Sequence, residues 1–329
     1  MATLGAGNLT LSDHAARSEN KEVAKIVEIL NLTNLILEDM VWVEGNLPTG
    51  HKTTIRSGLP TATWRLLNYG VAKSKSRTVQ VTDSCGMLET YSEIDKSLAD
   101  LNGNTAEFRM SEDTAFIESM NQEMATTLIY GNTQTDPEKF MGLAPRYNDL
   151  SAENADNVIA GGGTGSDNTS VWLVVWGDQQ CFGIYPKGSP AGLHFEDKGQ
   201  ETLTDANGNL YEGYRSHYKW DAGFVLKDWR YVVRICNIDV SNLNKTATGD
   251  SADLIDLMVQ ALEIVPNLTA GRAVFYANKT ITSFLRRQMA NKSNVHLTLD
   301  QVAGKKVLFF DTVPVKKTEA ILNTEALVS

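Results

Sequence analysis

Cysteine is scarce in this chain: three among 329 residues, Cys85, Cys181 and Cys236. An odd number at wide spacing gives neither a disulfide framework nor a zinc site. Histidine is almost as rare, five in all, and none pairs with an acid or another histidine at ligand spacing. There is no G-x-S-x-G elbow and no Cys/His nucleophile signature. No window reaches the apolar length of a membrane helix. Met1–Asn20 lacks both a cationic start and an apolar stretch, so no signal peptide is expected and the cytosol is the expected compartment. Internal repeats and low-complexity segments are missing too. A dedicated nucleic-acid binder normally carries a basic face, and this chain has a formal charge of −10. Such a charge fits a soluble protein.

What is present suits a large folded protein. The hydrophobic fraction, 42%, is ordinary for a chain with a proper core. Residues 1–18 read as an arm. Glu19–Glu38 reads as a helix through Val23, Ile26, Val27 and Leu30. From Val41 to Thr90 short β-branched runs alternate with Gly and Pro, without a long helix. Asn104 then opens the clearest helix, with Glu107 completing a capping box. Ala106, Met110, Ile117, Met120, Met124 and Leu128 form its stripe, and Gly131 suits its end. At 1.5 Å per residue the span to Tyr130 is roughly 40 Å.

Residues 132–169 read as loop, and 170–240 as β structure with a hairpin turn at Asn207-Gly208. After Asn244 the texture alternates: a helix capped by Ser251 and stopped by Pro266, the strand "AVFYA", a helix carrying Ile281, Phe284, Leu285 and Met289, then "HLTL" and "KKVLFFDTV". Helices alternating with apolar strands favour a sheet covered by helices. The whole reads as α+β.

One stretch imitates a chemical motif. "GNLPTGHKTT", Gly45–Thr54, is one residue out of register with the phosphate loop G-x-x-x-x-G-K-[ST]. That loop must feed a helix whose N-terminus faces the anion. Here Thr53, Thr54 and Ile55 follow, then Gly58 and Pro60, which favour an extended hairpin. "LTDANGNL" mimics a calcium loop through Asp205, Asn207 and Asn209. Its glycine position holds Leu210 and its glutamate position Ser216, so it reads as a hairpin tip. "GGGTG" at 161–165 precedes a strand, not a helix, and reads as a flexible loop. Arg286-Arg287 is a doublet on a solvated helix face. No metal, cofactor or catalytic residue is expected.

Three segments carry a family resemblance: "DMVWVEGNLPTGHKTTIRSGLPTATWRLLNYG" (39–70), "KFMGLAPRYN" (139–148) and "YKWDAGFVLKDWRYVVRICNIDV" (218–240). In them the chain resembles the major capsid proteins of short-tailed double-stranded-DNA phages, whose fold is named after phage Hong Kong 97. The resemblance implies an N-terminal arm and helix (1–38) and an E-loop (39–95). It implies a β-rich peripheral domain (96–245) that includes a spine helix (104–130), and an α/β axial domain (246–329). The peripheral strands precede the axial segment, so the element order reads as permuted relative to the commonest family pattern. The resemblance further implies self-assembly into hexamers and pentamers of an icosahedral shell in the bacterial cytoplasm. The expected partners are copies of itself and scaffolding, portal and cement or decoration proteins, with non-specific proximity to packaged DNA and no membrane. Lys52, Arg56 and Arg65 on the E-loop are then expected to meet acidic surface on an adjacent subunit. The alternative is a soluble nucleotide-binding enzyme using the degenerate phosphate loop at Gly45–Thr53.

Overall fold

The computed structural model describes residues 9, 18–19, 22–23, 34–101, 103–243, 252–288, 296–302 and 305–329. In chain order its strands are β1 (Ser18–Glu19), β2 (Glu22–Val23), β3 (Trp42–Glu44), β4 (Gly50–Gly58), β5 (Arg77–Asp95), β6 (Val158–Ala160), β7 (Asn168–Trp176), β8 (Cys181–Tyr185), β9 (His194–Thr204), β10 (Leu210–Leu226), β11 (Val232–Asp239), β12 (Arg272–Ala277), β13 (Leu297–Val302), β14 (Lys305–Phe310) and β15 (Val313–Lys317). The helices are α1 (Ile36–Asp39), α2 (Lys96–Ala99), α3 (Thr105–Tyr130), α4 (Leu254–Ile264) and α5 (Lys279–Gln288). Most of the helix expected over Glu19–Glu38 lies outside the described residues. Where Glu19, Glu22 and Val23 are described, they form a small antiparallel ladder instead.

Strand β7 organises the body. Its run "VWLVVW" is apolar at every position, and every residue of the strand is buried. A pleated strand sends alternate side chains to opposite faces. Trp172, Val174 and Trp176 therefore join one core and Val171, Leu173 and Val175 the other. Strands β11 and β12 flank β7, both antiparallel. β6 extends the sheet beyond β11, and β15, β14 and β13 extend it beyond β12. Helices α4 and α5 cover one face through Leu254, Met258, Ala261, Ile281, Phe284 and Leu285. The end of α3 and the chain's last residues cover the other. Helix α4 is capped by Asp253, whose carboxylate accepts from the amides of Ile255 and Asp256; the expected cap, Ser251, and Met289 lie outside the described residues.

The block 170–240, expected to be a single β-rich unit, divides. β7 and β11 belong to the body sheet, and β8–β10 leave it as an excursion. Trp176 pairs with Cys181 where the two parts join. β10 then pairs with β8, β9 and β5, and β5 pairs with β4 at the far end. The sheet that α4 and α5 cover therefore draws strands from both sides of the expected boundary at 245/246. β7 and β9 both read as strand from sequence texture, although β7 carries the unbroken apolar run "VWLVVW" and β9 is mostly polar.

The long helix forms as expected, 26 residues from Thr105, about 39 Å at 1.5 Å per residue. Asn104 holds the N-cap position without a side-chain capping bond. Its apolar stripe is covered over only half its length: Met120, Met124 and Leu128 are buried, whereas Met110 and Ile117 are exposed. Gly131 does not end the helix in a left-handed turn, since its φ is −52°. Close approach is what requires glycine there. A Cβ on Gly131 would lie 2.4 Å from the Phe140 carbonyl oxygen, and one on Gly142 2.6 Å from that of Thr127. The amide of Leu143 thereby reaches the Leu128 carbonyl at 2.9 Å and satisfies a helix-end acceptor. The "FMGL" step is the dock that joins spine to body.

A buried ion pair ties these parts together. Arg234 on β11 meets Glu325 at 2.8 Å with both side chains under 5% exposed, at 4% and 3%. The other Glu325 oxygen accepts from Tyr130 at the end of α3, 2.5 Å, and from Ser170 on β7, 2.7 Å. Arg234 also donates to the Tyr147 carbonyl and lies over the Trp172 ring. Asn237 seals the segment by bonding both the amide and the carbonyl of Val328. Removing one member of such a pair strands a charge in the core and costs about 3–5 kcal/mol. Glu325→Ala is expected to lose that much in denaturant unfolding. Arg234→Met combined with Glu325→Leu should recover part of it, because no buried charge remains.

Candidate assembly surface

The E-loop begins with a tight turn. Leu47 and Gly50 exchange backbone hydrogen bonds across Pro48-Thr49, at 3.0 and 3.4 Å. A Cβ on Gly45 would lie 2.6 Å from the Gly50 carbonyl oxygen, and one on Gly50 2.1 Å from that of Asp83. The two glycines of the near phosphate loop are there to let three backbones close up. The segment then enters strand β4, not a helix, so no helix N-terminus faces an anion. The calcium mimic is likewise a turn: Asp205 accepts from the amides of Asn207 and Asn209, and Asn207-Gly208 lies between β9 and β10. Cys85, Cys181 and Cys236 are all free.

The stalk is β4 paired antiparallel with the first part of β5, with an irregularity between Arg56 and Gly58. Asp83 anchors its root through Arg146 at 2.7 Å, and Arg146 also donates to the Gly142 and Met141 carbonyls. The arm is thus bolted to the same segment that docks the spine helix. His51, opposite Asp83, is held below the ordinary histidine pKa by burial and by nearby Lys227. Burial, helped by Asp221, pushes the Cys85 thiol up to about 11. Both shifts favour the uncharged form at neutral pH.

Lys52 and Arg56 project from β4, exposed, into a groove of ≈ 980 Å³ whose far wall includes Glu153, Lys227, Asp228 and Arg230. Arg65 is not brought to them. It lies in the tip and reaches the Tyr69 carbonyl at 3.5 Å. None of the three has an ion pair among the described residues. What the reading for charge missed is the apolar character of the tip. Trp64 is fully exposed, with Leu59 at 80%, Leu67 at 82%, Leu66 at 73% and Tyr69 at 68%. The signal was there in "TATWRLLNY", a run of large apolar residues with no helical or strand period to bury them in their own subunit.

The model of the family described as major capsid protein GP7 matches residues 18–329. The chain belongs to this major capsid protein family. A chain of bacteriophage epsilon15 is 41% identical at a TM-score of 0.78, covering 100% of this chain and 99% of that one. A chain of the bacteriophage JBD30 capsid is 10% identical at 0.49, covering 89% and 93%. A chain of the SrpI encapsulin complex from Synechococcus elongatus is 12% identical at 0.45, covering 72% and 99%. No curated protein matches. The fold is the Hong Kong 97-like capsid fold, and the protein is a structural subunit of a podophage-type icosahedral capsid that assembles with copies of itself. In this capsid protein the near phosphate loop is the tight turn that leads into the β4–β5 stalk. Gly50→Ala is expected to lower the melting temperature, since its new methyl group meets backbone. Magnesium-ATP should leave the melting temperature of the native protein unchanged; a dose-dependent rise would revive the nucleotide reading.

Proposed function

We propose that the E-loop is the arm that holds the shell together, lying across an adjacent subunit of a hexamer or pentamer. The single observation that carries this reading is the exposed apolar tip. Fully burying a large apolar side chain is worth about 1.5–3 kcal/mol, and the tip holds several that are largely exposed. Solvent-exposed ion pairs give roughly 0–1 kcal/mol each. The tip therefore supplies most of the contact energy. Lys52, Arg56 and Arg65 meet acidic surface of the neighbour and set register, in keeping with the chain's net charge of −10.

The body sheet with α4 and α5 takes the axial place around the capsomer centre, with residues 252–329 at its heart. β8–β10 and the spine helix take the periphery. This placement is supported by the sheet order, in which β13–β15 and the E-loop strands stand at opposite ends. The shell encloses double-stranded DNA and is built in the host cytoplasm. Scaffolding, portal and cement or decoration proteins are its further partners.

Replacing Asn46–Tyr69 by a short linker should leave a subunit that melts cooperatively but forms no particles. Loss of its near-UV tertiary signal would contradict this. Lys52→Glu with Arg56→Glu should impair assembly far more than subunit stability, and Trp64→Ser with Leu67→Ser should impair it further still. Particle yields in negative stain rank them, and wild-type yield from the apolar pair would sink the energetic argument. In a density map, Leu254–Ile264 and Lys279–Gln288 are expected beside the capsomer axis. Finding both far from every axis would overturn the axial placement and leave the capsid assignment standing.

A further inference from the structure

The outer edge of β4 is an unfinished ladder. In an antiparallel strand a residue turns its N–H and C=O to the same side, and the side alternates along the chain. Gly50 spends both groups on Leu47. Lys52 spends both on the side chain of Asn46, which accepts from its N–H at 2.7 Å and donates to its C=O at 2.8 Å. Gly50 and Lys52 thus face away from β5, and by alternation so do Thr54 and Arg56. Asn46 occupies the place of a peptide unit in a third strand. Beyond it the imitation stops, and among the described residues nothing bonds the outward groups of Thr54 and Arg56.

The groove sits against this edge. Every residue from His51 to Ser57 lines it. A cavity against one face of a strand would be lined by alternate residues, so this one runs along the edge. Its charged lining comprises Lys52, Arg56, Lys227 and Arg230 against Glu153 and Asp228, and Arg230 is already paired with Asp228. The uncompensated charge is positive, on a chain whose net charge is −10. Exposed edges of this kind are templates for strand addition.

We propose that Thr54 and Arg56 accept an extended, acidic segment of a second copy of this chain, which continues the ladder that Asn46 begins. This rests on the E-loop reading above and adds to it a backbone contact at the stalk, separate from the apolar tip. It also gives "GNLPTGHKTT" a second task. The turn that folds Asn46 back onto Lys52 closes the start of the edge, so an incoming strand is registered from Thr54 onward.

The test uses full-length subunits assembled without any other protein. Thr54→Pro removes one outward N–H and leaves the bonds to β5 intact, because proline is tolerated on an edge whose N–H faces outward. It should melt like wild type and lower shell yield by about tenfold, the effect of losing one or two backbone hydrogen bonds at each contact. Thr54→Val, which keeps the N–H, should assemble normally. Independently, hydrogen exchange at the Thr54 and Arg56 amides of the wild type should slow on assembly. Should Thr54→Pro fail to fold, this exchange measurement decides alone. Wild-type yield from folded Thr54→Pro, or equal exchange in shells and free subunits, overturns the proposal. Protection that appears only when another protein is added overturns the choice of a second copy. If Thr54→Pro assembles normally while Trp64→Ser with Leu67→Ser does not, strand addition fails and the E-loop reading survives. If the E-loop deletion also assembles, both fail.

Discussion

Burial of β7 on both faces fixes where everything else goes. A strand with an unbroken apolar run, here "VWLVVW" (171–176), must be covered twice. Here α4 and α5 supply one cover, and the end of the spine helix with the last residues of the chain supplies the other. The second cover is assembled from pieces distant in sequence, and Glu325 joins them by bonding Tyr130, Ser170 and Arg234 at once. Once these elements are committed to the body, little remains to shelter the excursion. The β4–β5 stalk is anchored at its root through Asp83 and Arg146 and carries its apolar tip into solvent.

Much of this was legible in the sequence. The spine helix, the β excursion before it and the helix–strand alternation after residue 252 all follow from periodicity, and the near phosphate loop could be rejected on the missing helix alone. Long-range pairing was harder to read. "SVWLVVW" and "HFEDKGQETLT" both read as strand, yet the first is buried on both faces and the second lies on an edge. The distinction between an unbroken apolar run and a mostly polar strand was available, and it places β7 in the body. The Arg234–Glu325 pair left no local trace, because its members are 91 residues apart and neither stands in a motif. The tip was read for its cations, which are conspicuous in an acidic chain. Its Trp and Leu residues, which carry more energy, have no period to draw attention to them.

Within the E-loop, each kind of residue solves a different problem. Gly45 and Gly50 permit backbone approaches that any side chain would block. Asn46 finishes part of an edge. Among the described residues the side chains of Lys52 and Arg56 have no ion pair, and Trp64 and its neighbours are exposed. On the proposed reading, folding and assembly draw on separate sets of residues. On that reading β7 and its two covers hold the subunit together, and the surface its own fold leaves open joins it to a shell.

A density map of the assembled shell at side-chain resolution tests that claim most directly, read at one residue, Trp64. The account predicts the indole enclosed by apolar side chains of a second copy, with Leu59 and Leu67 buried beside it. An indole still in solvent, or folded back onto its own subunit, would contradict it.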